Sequence, residues 1–362
     1  MPNYILAIDT SCDDTSAAVT LGRTVLSNVV ASQTELHKQY GGVFPTVAKQ
    51  AHRERIQPVT EIALKRAGVT KDQLAAVAVT QGPGLAPALE VGVDFAKKLA
   101  SELELPLIPV NHMEGHVLSV LAQPSPKTTG RSNEKMTPPI KLPCLAVVIS
   151  GGHTEFVLVR QIGQYERIGW TVDDAAGEVL DKFGRMVDLG YPAGPVVEQF
   201  AKLGNPHAFR FPLPMTTTGN YLMSFSGLKT AARKKVEELT AARPLTQQQV
   251  CDLCASFQFA VFHAITYKLN KFLLNQKTTL DQSVLFGIWL GGGVAANAVL
   301  RRMLRKAIEP YGLSLQVPYS KKLCSDNAAM IGVAASFKLE RGEHTSALES
   351  GERRPRWQIG EA

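Results

Sequence analysis

Short apolar runs bounded by polar or glycine-rich turns recur along the chain and predict buried β-strands. The first run, Tyr4–Asp9, is followed by a polar turn and a second strand at residues 16–21. The run Cys144–Ile149 is likewise followed by a turn and a strand at residues 155–160. Because the same order of strand, turn and strand occurs twice, the pattern predicts an α/β fold with two duplicated lobes.

A strand that leads through a glycine-rich turn into a helix also occurs twice. The run at residues 74–80 precedes a turn at 82–84, and the run at 284–290 precedes the glycines at 291–293. Such turns expose backbone N–H groups that can bind an anion. They can equally exist to let a helix pack closely on a strand. Since the spacing matches neither a P-loop nor a dinucleotide-binding fingerprint, both explanations stay open.

A proline-rich segment lies between the two predicted lobes. Its prolines disfavour regular structure, which indicates an exposed loop. We therefore predict an N-terminal lobe at residues 1–122, an exposed loop at 123–143 and a C-terminal lobe at 144–325. Residues 326–362 are predicted to form a helix and a basic tail that pack back on the N-terminal lobe.

The bulk composition suits a globular protein of roughly two domains, with 362 residues of which 45% are hydrophobic and 20% charged. The cysteines lack the spacing of a disulfide framework, and no apolar run reaches the roughly 18 residues of a membrane span. These features predict a cytoplasmic protein. Cys251 and Cys254 could form a redox pair or half a zinc site, but apolar residues at helical spacing around them favour core packing.

His112 and His116 lie four residues apart and directly follow an apolar run at residues 105–110. If that run is a strand and the next segment a helix, both imidazoles share one helical face at the carboxyl end of a strand, where open α/β sheets bind ligands. Two imidazoles leave a divalent ion under-coordinated, and Asp326 is the best candidate for a third ligand. Two alternatives remain: the histidines could be ordinary hydrogen-bonded residues, and Asp326 could merely cap the helix that follows it.

Several separated motifs carry a resemblance to a known family. They lie at residues 9–15, 40–45, 82–85, 112–116, 150–154, 173–178, 224–230 and 291–293. Together they closely resemble the tRNA N6-adenosine threonylcarbamoyltransferase family over the chain from about Leu6 to Trp357. The resemblance implies the actin, Hsp70 and sugar kinase superfold, with a nucleotide cleft between two duplicated lobes.

The resemblance also implies an activity and its parts. A threonylcarbamoyl group would move from L-threonylcarbamoyladenylate to N6 of the adenosine 3′ of the anticodon, in tRNAs that read codons beginning with A. The implied ligands of one divalent ion, Fe²⁺ in preference to Zn²⁺, are His112, His116 and Asp326. The implied catalytic residue is Asp13, as base or orienter. The implied substrate contacts are Val148, Ile149, Ser150, Gly151, Gly152, Asp181, Gly194 and Asn297.

The implied partners are tRNA, a smaller paralogous subunit and a P-loop ATPase, with no membrane. The net charge of +7 agrees with a polyanionic partner. Four basic clusters could contact tRNA phosphates, although any one of them could be an ordinary solvated face. The clusters are His52, Arg53 and Arg55; Lys229, Arg233, Lys234 and Lys235; Arg301, Arg302, Arg305 and Lys306; and Arg353, Arg354 and Arg356.

Three departures from the family pattern and three other functions bear on this interpretation. The proline-rich loop at residues 123–143 is longer than the family pattern leads us to expect. Asp9 stands where a glutamate is usual, and Ala193 where a glycine is usual. A metallopeptidase would need a glutamate beside the metal, but Glu114 lies about 200° around the helix from His112. An ATPase or sugar kinase of the same superfold would hold Mg²⁺ through carboxylates and needs no histidine. A non-catalytic tRNA scaffold would have no use for a metal site.

Overall fold

The computed structural model describes residues 2–126, 140–278, 285–346 and 351–361. The chain divides into two compact units. The first unit comprises Met1–Lys141, Gln161–Tyr165 and Val317–Ala362, and the second comprises Leu142–Arg160 and Glu166–Gln316. Asp326 therefore belongs to the first unit, together with both histidines.

The first unit is built on a six-stranded sheet. Its strands are β1 (Tyr4–Asp9), β2 (Asp14–Leu21), β3 (Thr24–Ser32), β4 (Leu74–Gly82), β5 (Leu107–Asn111) and β6 (Gln123–Pro124). Their order is β5-β4-β1-β2-β3-β6, with β1 antiparallel to β2 and parallel to β4. Strands β1 and β4 are buried on both faces, which explains why they read as continuous apolar runs.

The second unit is built on a five-stranded sheet with the equivalent order. Its strands are β7 (Cys144–Ile149), β8 (Thr154–Gln161), β9 (Gln164–Trp170), β10 (Gly287–Gly291) and β11 (Ser314–Gln316). Their order is β11-β10-β7-β8-β9, and β7 is antiparallel to β8 and parallel to β10. Since β7 takes the place of β1 and β10 the place of β4, the predicted duplication is confirmed.

Helices cover both sheets. They are α1 (Thr34–Lys38), α2 (Pro45–Ala67), α3 (Ala86–Glu102), α4 (His112–Leu118), α5 (Ala176–Met186), α6 (Gly194–Ala201), α7 (Ser226–Thr240), α8 (Gln247–Thr278), α9 (Ala298–Ile308) and α10 (Ala328–Glu340). Leu6 and Ile8 of β1 pack with residues of α2 and α3. Ala7 points to the opposite face, because side chains alternate along a strand. There it meets Gly332 of α10, where an added Cβ would also crowd Thr20.

Helix α8 is a core helix. It is long and apolar enough over Gln247–Gln276 to cross a bilayer, but 72% of its most apolar window is buried inside the protein. Thr246 and Gln249 form a capping box at its start, with hydrogen bonds of 2.9 and 3.2 Å. Cys251 and Cys254 are free thiols, 2% and 0% exposed, so their predicted role in core packing is confirmed.

The proline-rich segment and the C-terminal tail are more ordered than the sequence predicts. Gln123–Pro124 forms the short edge strand β6 beside β3, so the prediction of no regular structure is wrong there. An edge strand tolerates proline because its missing N–H can face away from the sheet. Residues 127–139 lie outside the described chain. The tail pairs with the sheet, since the Arg354 N–H donates to the Gln81 carbonyl at 2.7 Å.

Candidate metal centre and substrate region

The two histidines lie one helical turn apart because of the way α4 begins. The side chain of Asn111, the last residue of β5, accepts hydrogen bonds from the N–H groups of Met113 and Glu114 at 2.8 and 3.3 Å. This cap starts the helix at His112, immediately after the strand. The His112 and His116 rings meet edge to face at 4.6 Å between centroids. The predicted strand-to-helix junction, with both imidazoles on one face, is confirmed.

Asp326 completes a cluster with the histidines. Its Oδ1 lies 3.1 Å from Nε2 of His116 and 3.5 Å from Nε2 of His112. One ligand atom from each of the three residues lies within 4.8 Å of the others. Among the described residues, neither Nδ1 atom has a hydrogen-bond partner. In both rings it is Nε2 that faces Asp326. Two imidazole nitrogens and a carboxylate oxygen fit a divalent transition metal ion.

Asp326 does not cap the helix that follows it. The side chain of its neighbour Asn327 accepts the Met330 N–H at 3.1 Å and is the N-cap of α10. The alternative that Asp326 serves only as a cap is therefore wrong. Because the amide performs the capping, the carboxylate is free to face the histidines.

The electrostatics of the cluster favour a cation. Burial alone would lower the pKa of His112, but the carboxylates of Asp326 and Asp9 outweigh it and raise that pKa. The pKa of His116 is lowered, mainly by burial. One positive charge is thus stabilised among these groups, and a metal cation would be stabilised by the same carboxylates.

Asp9 is a member of this site that the motif spacing did not identify. Its carboxylate is 0% exposed, and its Oδ1 lies 3.8 Å from Nδ1 of His112. An aspartate at the end of a strand does not by itself predict a contact with a distant histidine. The contact depends on β1 and β5 both flanking β4, so that their carboxyl ends approach each other.

Asp13 lies in the turn between β1 and β2, near Asp326. Burial and then the charge of Asp326 raise the pKa of Asp13. The backbone carbonyl of Asp13 accepts the Gln33 N–H at 3.0 Å, which fixes the turn. The pKa of Asp14, the next residue, is raised to about 7, chiefly by burial and further by the charges of Asp13, Asp326 and Asp9. The turn therefore presents carboxyl groups that are stronger bases than ordinary aspartates.

His52 clamps the turn that carries Asp13. Its Nε2 lies 2.9 Å from the Cys12 carbonyl oxygen and its Nδ1 lies 2.8 Å from the Thr15 hydroxyl. A carbonyl can only accept, so Nε2 carries the proton and Thr15 donates to Nδ1. His52 is 0% exposed, and its predicted contact with tRNA phosphates is wrong. His52 lies on the core side of α2. Its basic neighbours in the sequence led to the prediction that it is exposed.

We expect the clamp to weaken at acidic pH. Burial lowers the pKa of His52 from its ordinary value of 6.5, and Arg55 and His37 add to this while Cys12 and Asp9 oppose it. Below that ordinary value the unfolded chain binds a proton that the folded chain excludes, so stability is lost as the pH falls. His52→Gln lacks this titration. Thermal melts between about pH 7.5 and 5.5 should therefore show a smaller fall in Tm for the variant than for the wild type. Parallel curves would contradict the clamp.

Glu114 faces away from the cluster, as its helical position predicts. Its Oε1 accepts the Tyr165 hydroxyl at 3.0 Å, and the side chain is buried. A metallopeptidase would need this carboxylate beside a metal-bound water. The arrangement required for that alternative is absent from α4.

In the second unit, the turn after β7 leaves backbone open to solvent. The Ser150 N–H donates to the His153 carbonyl at 2.8 Å, which closes the turn. Gly151 and Gly152 are exposed, and a Cβ added to either would meet nothing within 4 Å. The side chains of Val148 and Ile149, by contrast, are 0% exposed within the sheet. The open backbone at the two glycines suits close approach by an anion.

The other predicted substrate residues hold neighbouring backbone in place. Oδ1 of Asp181 accepts the N–H groups of Ala193 and Gly194 at 2.8 and 2.7 Å. Asn297 caps α9, and its Nδ2 donates to Gln258 at 2.8 Å. Both side chains therefore fix the loops from which a ligand could be held.

The start of α5 and the turn at 291–293 both contact the backbone at the carboxyl end of β7. The Gly177 N–H at the start of α5 donates to the Ser150 carbonyl at 3.2 Å. Gly292 lies against Ile149 so closely that a Cβ would overlap the Ile149 carbonyl. The turn at 291–293 thus serves packing, as does Gly82, whose Cβ would overlap Arg354. Of the glycine turns, the one at 151–152 has the open geometry of a binding loop.

The basic clusters differ in how far their charges are neutralised. Lys229 pairs with Asp174 at 2.6 Å, and Lys235 pairs with Glu238 at 2.6 Å. On α9, Arg302, Arg305 and Lys306 are exposed, and none of them forms an ion pair with another described residue. The face of α9 is therefore the stronger candidate for contact with phosphates.

Comparison with known proteins identifies the family. The family model for tRNA N6-adenosine threonylcarbamoyltransferase matches residues 24–333. A relative of that name from Symbiobacterium thermophilum is 45% identical over 340 residues, which cover 93% of this chain and 92% of the relative. Another of the same name, from Chelativorans sp., is 42% identical over 366 residues, which cover 99% of this chain and 95% of the relative.

Solved structures show the fold. The crystal structure of T. kodakarensis HypF has a TM-score of 0.58 at 15% identity, covering 94% of this chain and 48% of that one. The crystal structure of full-length HypF in a phosphate- and nucleotide-bound form has a TM-score of 0.57 at 15% identity. The match covers 95% of this chain and 56% of that one. The duplicated sheets have the topology of the actin, Hsp70 and sugar kinase superfold. Since the sequence matches extend over nearly the whole chain, this protein belongs to the tRNA N6-adenosine threonylcarbamoyltransferase family.

Proposed function

We propose that this protein transfers the threonylcarbamoyl group of L-threonylcarbamoyladenylate to N6 of the adenosine 3′ of the anticodon, in tRNAs that read codons beginning with A. Family membership supports the reaction class. The observation that carries the proposed chemistry is the convergence of His112, His116 and Asp326 within 4.8 Å. A tRNA scaffold without catalysis would not need it.

The reaction makes one bond and breaks another. The N6 amine attacks the carbamoyl carbon, the C–N bond forms, and the bond from that carbon to the phosphate oxygen breaks to release AMP. The amine is a poor nucleophile because its lone pair is delocalised into the purine, so it needs positioning and removal of a proton. Asp13 takes that proton, and the raised pKa of its carboxyl makes it a better base.

The metal and the substrate residues have separate tasks in this proposal. A divalent ion bound by His112, His116 and Asp326, with Fe²⁺ favoured over Zn²⁺, supplies a Lewis acid for the carbamoyl or phosphate oxygens. The open backbone of Gly151 and Gly152, after Val148, Ile149 and Ser150, receives the adenylate phosphate. Loops fixed by Asp181 and Asn297 hold its adenosine, with Gly194 at the ribose.

The tRNA must present its adenosine splayed out of the anticodon loop, as enzymes that act on bases require. The proposal includes two protein partners, a smaller paralogue of the same superfold and a P-loop ATPase, and a cytoplasmic setting in which tRNA is available. A separate synthase supplies the adenylate from threonine, bicarbonate and ATP.

A transfer assay tests the proposed function. The protein, its two partners, the synthase, threonine, bicarbonate and ATP are incubated with unmodified tRNA, and digested nucleosides are analysed by mass spectrometry. We expect threonylcarbamoyladenosine from tRNAs that read A-starting codons. The matched control tRNA carries guanosine in place of the target adenosine and should give none. Absence of product with active partners present would refute the proposal.

We expect charge reversal on α9 to weaken tRNA binding. Replacing Arg302, Arg305 and Lys306 by glutamate removes three exposed cations, so fewer counterions are released on binding. Affinity should fall by at least about tenfold at low salt, and the dependence on salt should flatten. Fluorescence anisotropy with labelled tRNA over a salt series measures both.

The α7 cluster provides the comparison for this experiment. Arg233 and Lys235 each face a glutamate on the same helix, at 3.8 and 2.6 Å, so reversal at Arg233, Lys234 and Lys235 should cost less affinity. An equal or larger loss from the α7 variant would place the tRNA contact there and not on α9.

A further inference from the structure

Asp9 is a fully buried carboxylate with one oxygen that has no hydrogen-bond partner among the described residues. It ends β1 and is 0% exposed. Its Oδ1 accepts the Ser11 N–H at 3.1 Å, while Oδ2 has no hydrogen-bond partner among the described residues. A buried carboxylate is costly unless it is paired with a charge or fully hydrogen-bonded. The Asp9 carboxylate can therefore accept a further hydrogen bond from a neighbouring donor.

His112 is the group that faces Asp9. Its Nδ1 lies 3.8 Å from Asp9 Oδ1 and, like Asp9 Oδ2, lacks a hydrogen-bond partner. Its Nε2 is turned to the other side, 3.5 Å from Asp326. A metal ion takes the unprotonated nitrogen of a neutral imidazole, so binding at Nε2 leaves the proton on Nδ1. Among the described residues, Asp9 supplies the carboxylate that lies within 4.0 Å of Nδ1.

We propose that Asp9 is a positioning residue that accepts a hydrogen bond from Nδ1–H of His112 and so fixes the tautomer and the ring orientation for metal binding. A ligating histidine commonly donates its second N–H to a carboxylate, which also makes the ligating nitrogen more basic. The present separation of 3.8 Å is beyond hydrogen-bond range, so the proposal requires the two side chains to approach each other when the metal is bound. The inference rests on the proposed metal site.

The two histidine ligands are consequently not equivalent. Within the described chain, the ion pairs of His116 involve Nε2 and Asp326 only, and its Nδ1 faces no carboxylate within 4.0 Å. Of the two histidines, His112 has a carboxylate near each ring nitrogen: Asp9 near Nδ1 and Asp326 near Nε2. Loss of Asp9 should therefore affect His112 and spare His116.

Metal affinity tests the proposal without any activity measurement. Zn²⁺, a diamagnetic probe, is titrated against a chelator into wild-type protein and into Asp9→Asn. We expect Asp9→Asn to bind Zn²⁺ about 10–100-fold more weakly, the usual cost of removing such a partner. Asp14→Asn is the matched control, since it removes a nearby carboxylate that also has an unpartnered oxygen but pairs with neither histidine. Unchanged affinity in Asp9→Asn, or an equal loss in both variants, would overturn the proposal.

Nitrogen NMR of the wild-type protein gives a second test that needs no variant to fold. In the Zn²⁺ complex, we expect His112 to carry its proton on Nδ1, protected from exchange, with Nε2 bound to the metal. A proton on Nε2 of His112 would overturn the proposal. Wild-type protein that binds no Zn²⁺ would refute the metal site itself, whereas binding unaffected by Asp9→Asn would refute only the role of Asp9. The transfer assay remains a separate test of the proposed function.

Discussion

Replacement of His112, His116 or Asp326 by alanine, one at a time, is expected to abolish threonylcarbamoyl transfer and to strip the protein of its metal. Each substitution leaves two protein ligands, which do not hold a divalent ion firmly. The loss of affinity should exceed the roughly 10–100-fold cost of losing an outer partner such as Asp9. Metal content by mass spectrometry and product by nucleoside analysis measure the two effects.

The matched control for these variants is His263→Ala. His263 is an exposed histidine on α8 and lies outside the cluster of possible ligands. Metal content and transfer should both stay at the wild-type level in this variant. Full activity in any one of the three ligand variants would overturn the ligand assignment.

The second large effect is expected on stability, from Gly292→Ala. Gly292 has φ +88°, which disfavours a residue with a side chain, and its added Cβ would overlap the backbone of Ile149. The left-handed conformation costs roughly 1–2 kcal/mol, and overpacking against backbone about 1–3 kcal/mol more. We expect the free energy of unfolding to fall by about 3 kcal/mol. Denaturant titration of the full chain measures it.

Gly219→Ala is the control for Gly292→Ala. Gly219 lies in the same unit, and a Cβ there would meet nothing within 4 Å. Its unfolding free energy should stay within about 0.5 kcal/mol of the wild-type value. If both variants were equally stable, the turn at 291–293 would not be a packing element.

The sequence predicts those parts of the site that depend on local periodicity. The spacing of His112 and His116 fixes them on one helical face, and the apolar run before them fixes the helix at the end of a strand. The repeated pattern of strand, turn and strand predicts the two duplicated lobes in the same way, whereas the order of the strands in each sheet is seen only in the structure. Both predictions depend on residues close together in the chain.

The parts that the sequence does not predict depend on tertiary contacts. The approach of Asp9 to His112 arises from strands that are distant in sequence, and no spacing rule encodes it. Asn327 and Asp326 are both good capping residues, so the sequence does not say which of them caps α10. The structure shows that Asn327 does, while Asp326 faces the histidines. The three glycine turns look alike in sequence, but Gly292 and Gly82 pack against backbone whereas Gly151 faces open space.

Anomalous X-ray scattering at the iron edge, from crystals of the protein purified with Fe²⁺ under reducing conditions, tests the central claim most directly. The account predicts a single strong peak within bonding distance of Nε2 of His112, Nε2 of His116 and a carboxylate oxygen of Asp326. A peak at another location, or no peak at these three residues in protein that contains stoichiometric iron, would contradict it.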